Sequence, residues 1–134
     1  MVDGGRQVAL FVEEARRFAR AGQARGAEFD QPLLEALTRL EAVTHLVRDS
    51  ALKDPAAVGA ASVDYLHLFG YTAYAYMWAR MARAALAGGN GSFYQGKLAT
   101  ARFYVGKLLP RSLSLEASIV AGSQSLYGLH DDQF

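Results

Sequence analysis

Gly91 to Lys97, within the stretch GSFYQGKL, carry the spacing G-x-x-x-x-G-K of a phosphate-binding loop. That chemistry also needs a hydroxyl after the lysine to hold Mg²⁺ and a buried strand to aim the loop. Leu98 occupies the hydroxyl position, and the preceding RMARAALAGGN reads as the end of a helix followed by a turn. Ser92 with Gln95 reads instead as a capping box ahead of an apolar series, so the stretch predicts a helix start. The histidines at 45, 67 and 130 lie far apart and lack metal-ligand partners at helical spacing. His45 falls with Glu41 and Asp49 on a polar helix side where i to i+4 pairing accounts for it, and His67 reads as a hydrogen-bonded core or interface histidine. No serine, lysine or carboxylate is visibly paired with a histidine as a nucleophile and base would be. No catalytic, cofactor-binding or metal-binding residue is assigned.

Lys97, Arg102 and Lys107 interleave with Phe93, Tyr94, Phe103 and Tyr104, as in a basic aromatic surface for nucleic acid. Steps of five residues rotate about 140° around a helix, so these charges cannot share a stripe. They read as solvated charges bordering a packed helix. The net charge of +1, with acids and bases mixed along the chain, supplies no field for nucleic acid or an anionic membrane. Zero cysteines remove disulfide and zinc-thiolate chemistry and fit a reducing compartment. Charges from Arg6 to Arg20 rule out a signal peptide at the start, and the uncharged run Tyr65 to Ala79 is too short to span a bilayer. The expectation is a cytoplasmic protein without membrane, metal or nucleic-acid partners.

The elements that must position these residues are helical. A chain of 134 residues suits one domain able to bury a core. Asp30 can cap a helix with Pro32 in its first turn, Asp54 and Pro55 form an N-cap with proline at the first helical position, and glycines at 22–26 and 88–91 supply stops. This punctuation predicts helices over roughly 5–22, 30–52, 55–87 and 92–126. Apolar residues recur at helical period in each. In the last, Tyr94, Leu98, Ala101, Val105, Leu108, Leu115, Ile119 and Leu126 keep one stripe across Pro110, which predicts one long helix kinked at that proline. Short connections imply antiparallel neighbours, hence an all-α, up-down-up-down four-helix bundle spanning 1–134. The opening MVDGGR reads as a possible domain junction.

The third helix is apolar nearly all round. Tyr65, Phe69, Thr72 and Tyr76, continued by Arg80 and Arg83, make one side; His67, Tyr71, Tyr74 and Trp78 make the opposite one. A bundle helix normally leaves one face to water, so one aromatic face should be covered from outside or carry wet tyrosine edges. The arginines favour the Tyr65 side as the outward one. Tyr65, Phe69, Tyr76 and Arg80 are therefore the expected docking residues, with Lys97 and Arg102 as polar anchors at a partner or a ligand phosphate.

Two stretches, VDYLHLFGYTAYAYMWARMA (63–82) and FYQGKLATARFYVGKLLP (93–110), resemble the C-terminal helical domain appended to a subgroup of the acyl-CoA dehydrogenase family, which includes 3-methylmercaptopropionyl-CoA dehydrogenases. Tyr65, Leu66, Leu68, Phe69 and Gly70 match the YL-x-LFG segment, and Lys97 to Phe103 the KLATARF segment, in an order that spans nearly the whole chain. The resemblance implies a parent flavoprotein that removes hydrogens from Cα and Cβ of an acyl-CoA thioester, with FAD as acceptor and a glutamate base. That machinery would lie in a catalytic region ahead of this chain; Glu13, Glu35 and Glu116 are not assigned the base's role. The implied function is a noncatalytic accessory domain partnered by that catalytic region. The alternatives are a stand-alone bundle that holds a small apolar ligand, and a self-associating module.

Overall fold

Residue 3 and residues 5–134 are described by a computed structural model. The reading of the opening as a domain junction falls partly outside them, on residues 1, 2 and 4. The first helix, α1, spans Arg6–Arg20. Its cap residue, Gly5, sits at φ 88°, a left-handed conformation open to glycine. With no side chain at the cap, the Asp3 carboxylate accepts from Gly5 N (3.1 Å) and Gln7 N (3.2 Å) instead. Arg17 and Arg20 lie in the last turn, where the helix dipole favours cations.

α2 spans Ala27–Lys53 and α3 spans Pro55–Gly88. The turn between them is capped as the sequence predicts, with Asp54 Oδ1 accepting from Ala56 N at 3.0 Å and Pro55 opening the helix. The start of α2 departs from expectation. Asp30 does not cap it; the helix begins three residues earlier, and Asp30 is buried within its first turn. Burial gives this carboxylate another partner. Arg83 Nη2 donates to Asp30 Oδ2 at 3.1 Å and to the carbonyl of Phe18 at 2.9 Å, while the guanidinium lies 3.5 Å from the centre of the Phe18 ring. One arginine of α3 thus ties α1 to α2. Gly22 makes the space: a Cβ there would stand 2.0 Å from Asp30 Oδ2 and 2.7 Å from Arg83 Nη2.

α4 spans Ser92–Phe103. Ser92 is its first residue, not its cap; Gly91 fills the cap position, and no side chain caps the helix. The expected single helix over 92–126 is interrupted. Tyr104–Leu108 forms a π-helical turn, with Leu109 N donating to Tyr104 O at 2.9 Å, and the last helix, α5, runs over Arg111–Val120. Pro110 has no N–H and its ring would crowd the carbonyl four residues back, so the wider turn lies where α geometry cannot continue. The α-helix ends before Leu126, which is 63% exposed and not part of the stripe. Gly122 at φ 76° follows α5, and the tail folds into short 3-10 turns at Gln124–Leu126 and Asp131–Gln133. The described residues contain no strand.

Leu33, Leu37 and Leu40 of α2 and Leu68 of α3 are fully buried at the centre of the core. Ala75, Ala79, Ala82 and Ala85 keep the buried side of α3 thin, which allows neighbouring helices to approach closely. Polar contacts then fix the alignment of the helices. Arg16 pairs with Glu41 (2.9 Å), and Arg39 donates to Glu116 (2.9 Å) and to the buried Ser112 (3.2 Å). The Tyr104 hydroxyl donates to the Tyr71 carbonyl while its ring stacks on Trp78. The Tyr94 ring lies against Gly88, where a Cβ would come within 2.4 Å of it.

The carboxylates of the fold are displaced in opposite directions. Hydrogen bonds from Arg102 and Arg16 hold Glu28 and Glu41 below the usual glutamate range, whereas burial pushes Asp30 up despite Arg83. Stability from the two glutamates is therefore present above their ordinary titration range and lost as pH falls through their lowered values. The Asp30 contribution runs the other way, fully present below its ordinary value and lost as pH rises through the raised one. A carboxyl NMR titration should find Asp30 above 3.8 and Glu28 below 4.5, and Arg102→Ala should return Glu28 alone to its ordinary value.

Loss of the clamp should register in a urea melt. Arg83→Ala leaves the Asp30 charge buried, and the cost is expected near 2 kcal/mol, discounted from a fully buried pair because the arginine is a third exposed. Gly22→Ala should cost about 1 kcal/mol or more by pushing the carboxylate and guanidinium ends off their places, and a midpoint unchanged in both variants would deny the clamp its role.

Candidate docking surface

The C-terminal half of α2 and the N-terminal half of α3 line an open apolar groove of about 690 Å³. Val47, Ala51 and Leu52 line it from α2, and Val58, Tyr65, Leu66 and Phe69 from α3; Arg48 and Ser62 are its polar members. Leu52 is 85% exposed and Leu66 68% exposed, so the walls present large aliphatic side chains to water. Of the expected docking residues, Tyr65 and Phe69 are here, each half-buried. The Phe69 ring lies 5.1 Å from that of Phe11, so the groove continues the seam where α1 packs on α3.

The outward orientation expected for the Tyr65 side does not hold. Tyr76 is 8% exposed, its ring edge-on to Phe11 and Phe18 and its hydroxyl donating to Glu14 at 3.1 Å. Thr72 is fully buried, and Arg83 turns inward to Asp30. Arg80 is exposed and lies with its guanidinium 5.5 Å from the centre of the Tyr76 ring. α1 supplies the reason. Phe11, Glu14 and Phe18 offer this side of α3 aromatic surface and a carboxylate that satisfy Tyr76, and Thr44 of α2 satisfies the Tyr65 hydroxyl. The face left to water carries Val63, Leu66, His67, Tyr74, Met77 and Met81; His67 is exposed, not a core histidine.

The two expected anchors lie on α4 and are engaged there. Arg102 makes a two-pronged ion pair with Glu28 (3.0 and 2.8 Å) over the ring of Phe29, and Lys97 lies 5.4 Å from the centre of the Phe93 ring. His45 Nδ1 is 2.9 Å from Arg48 Nη2, while Glu41, its expected helical neighbour, pairs with Arg16. Leu52, Val58 and Ala51 were not expected in a site. The signal available for Leu52 was its position beside the polar end of α2, off the buried stripe.

Chemically, the groove can bury apolar surface and does little else. Thr44 gives its hydroxyl proton to the Leu40 carbonyl at 2.7 Å, so the Tyr65 hydroxyl, 2.7 Å away, donates to Thr44. Burial raises the Tyr65 pKa, which keeps the phenol protonated at neutral pH and unsuited to act as a base. Arg48 lies 3.6 Å from Asp49 as well as beside His45. No group of three His, Cys, Asp or Glu side chains that could share a metal ion occurs among the described residues.

The chain matches the family model described as acetyl-CoA dehydrogenase C-terminal like over residues 7–130, from the first turn of α1 to the tail beyond α5. No curated protein matches it. A match across all five helices, including both stretches that carry the YL-x-LFG and KLATARF segments, leaves no helix outside the relationship: the chain belongs to the acetyl-CoA dehydrogenase C-terminal-like family.

Proposed function

We propose that this chain is a noncatalytic accessory domain that packs, through the groove between α2 and α3, on the catalytic body of an acyl-CoA dehydrogenase of the subgroup containing the 3-methylmercaptopropionyl-CoA enzymes. The family match over residues 7–130 carries the reading. The groove supports it, being wide, apolar and walled by Leu52 and Leu66, which no partner within the chain covers among the described residues. In this reading the parent removes hydrogens from Cα and Cβ of an acyl-CoA thioester in the cytoplasm, and FAD and the base belong to its catalytic body. The groove does not fit a flavin dinucleotide. Its one cation, Arg48, is already paired, and the G-x-x-x-x-G-K spacing lies at the start of α4, where no strand precedes the first glycine and Leu98 stands in the hydroxyl position.

The topology proposed for this role is an up-down-up-down bundle whose last limb bends at Pro110. Paired residues support it. Asp30 meets Arg83 and Thr44 meets Tyr65, as antiparallel α2 and α3 require, while Phe11 meets Phe69 and Glu14 meets Tyr76, as parallel α1 and α3 require. No helix among the described residues is long and apolar enough to cross a membrane, consistent with docking on a protein body.

A second reading, an apolar small molecule held in the groove, is favoured by the volume of about 690 Å³, which lies within the span usual for ligand sites. Calorimetry separates the two. The chain should bind the catalytic body from which this domain has been removed, and Leu52→Glu or Leu66→Glu should weaken that binding tenfold or more without altering the helical spectrum. Unchanged binding in both variants would place docking elsewhere, and a small molecule retained in a native mass spectrum would shift the reading to a ligand.

A further inference from the structure

The water-facing side of α3 has its own regularity. Val63, His67, Gly70, Tyr74, Met77 and Met81 follow one another at intervals of four, three, four, three and four residues, the seam spacing of a helix that packs knobs into holes on another helix. All but Gly70 are exposed, and Gly70 opens to empty space, since a Cβ built on it meets nothing within 4 Å. A glycine inside a helix is unfavourable by about 1 kcal/mol relative to alanine. No contact among the described residues requires it at position 70. Gly96 and Gly106 are equally unconstrained but lie outside α3, and Gly59, one turn before Val63, continues the same face toward the helix start.

The stripe is symmetric about Thr72, which faces the core on the far side of the helix. Val63 and Met81 stand nine residues either side of it, His67 and Met77 five, and Gly70 and Tyr74 two. Turning a second copy end for end about that midpoint sets each member opposite its counterpart. Tyr74 of each copy then falls on Gly70 of the other, the largest side chain of the stripe against the one position with none. An isologous twofold interface requires such self-complementarity, with residue i on j and j on i. We infer that this face of α3 pairs with a second copy of the chain, antiparallel, about a twofold axis at Thr72.

The area sets a bound. Eighteen residue steps make a strip about 27 Å long. At the width of one helix it buries on the order of 500 Å² per copy, near 1,000 Å² in all, the lower bound for a specific interface. An interface at that bound belongs with the weak, transient ones, so association is expected at micromolar concentrations and above. The face adjoins the groove at Leu66, but no residue of the stripe lines the groove, so the register test reads the pairing whether or not the groove docks a catalytic body.

Because the chain has no cysteine, single thiols can report the register. In an equimolar mixture of Val63→Cys and Met81→Cys chains, a short bis-maleimide should link one variant to the other; each variant alone should stay unlinked, its two thiols about 27 Å apart. Gly70→Leu provides a check that a merely structural role would not pass. It should raise the Tm by improving the helix, yet weaken association at least tenfold in sedimentation equilibrium by filling the cavity that receives Tyr74. A chain monomeric up to several hundred micromolar overturns the inference. So do self-linking of Val63→Cys, which would mean parallel pairing, and a dimer that Gly70→Leu leaves intact.

Discussion

The buried carboxylate of Asp30 sets the frame of this molecule. A charge in that position needs a cation, and Arg83 supplies it from α3, reaching the Phe18 carbonyl of α1 with the same nitrogen. Three helices are thereby held at one point near the α1–α2 turn, and the turn has to contain Gly22, because any larger residue would displace the carboxylate or the guanidinium. The rotation of α3 about its own axis follows. With Arg83 directed inward, Tyr76, Thr72, Phe69 and Tyr65, which precede it along the same side, must also face α1 and α2. The stripe from Val63 to Met81 is what remains for water.

That rotation explains why the elements were legible in the sequence and the surface was not. Helix boundaries rest on local chemistry, and Asp54 with Pro55 or the glycines near 22 and 88 leave local marks. Which side of α3 is covered depends on α1, some sixty residues away, whose aromatic residues accept tyrosines as readily as a partner protein would. A wheel with two aromatic sides offers no means of ranking them. The arginines misled because only Arg80 is exposed; Arg83, one turn on, closes the internal clamp. Asp30 was misplaced for the same reason, since a cap and a buried ion-pair partner have the same side chain and differ only in what lies opposite. At the other end of the chain, period alone could carry a helix through Pro110, but not reveal the π turn that makes room for it or the end of α5 before Leu126.

The candidate site was half legible for a related reason. Tyr65 and Phe69 drew attention as aromatics and do line the groove, whereas Leu52 and Val58 gave no sign, being ordinary aliphatic residues near a helix end and start. The groove arises from unequal lengths. α1 has 15 residues, against 27 in α2 and 34 in α3, so it cannot cover the whole valley between the longer pair. What lies beyond Phe11 keeps the apolar character of a helix seat with no helix in it among the described residues.

The polar groups bordering this seat show what kind of surface it is. Tyr65 gives its proton to Thr44, Thr44 gives its own to the Leu40 carbonyl, and Arg48 lies against His45 and Asp49. Each is satisfied within the chain, so none is held in reserve for a reacting group, and none would be left unpaired when an apolar surface closes over the groove. Covering a surface built in this way releases water from leucine and valine side chains at little cost in lost hydrogen bonds. Such a balance favours packing over chemistry, and it is the balance a domain needs if its work is to hold another body in place.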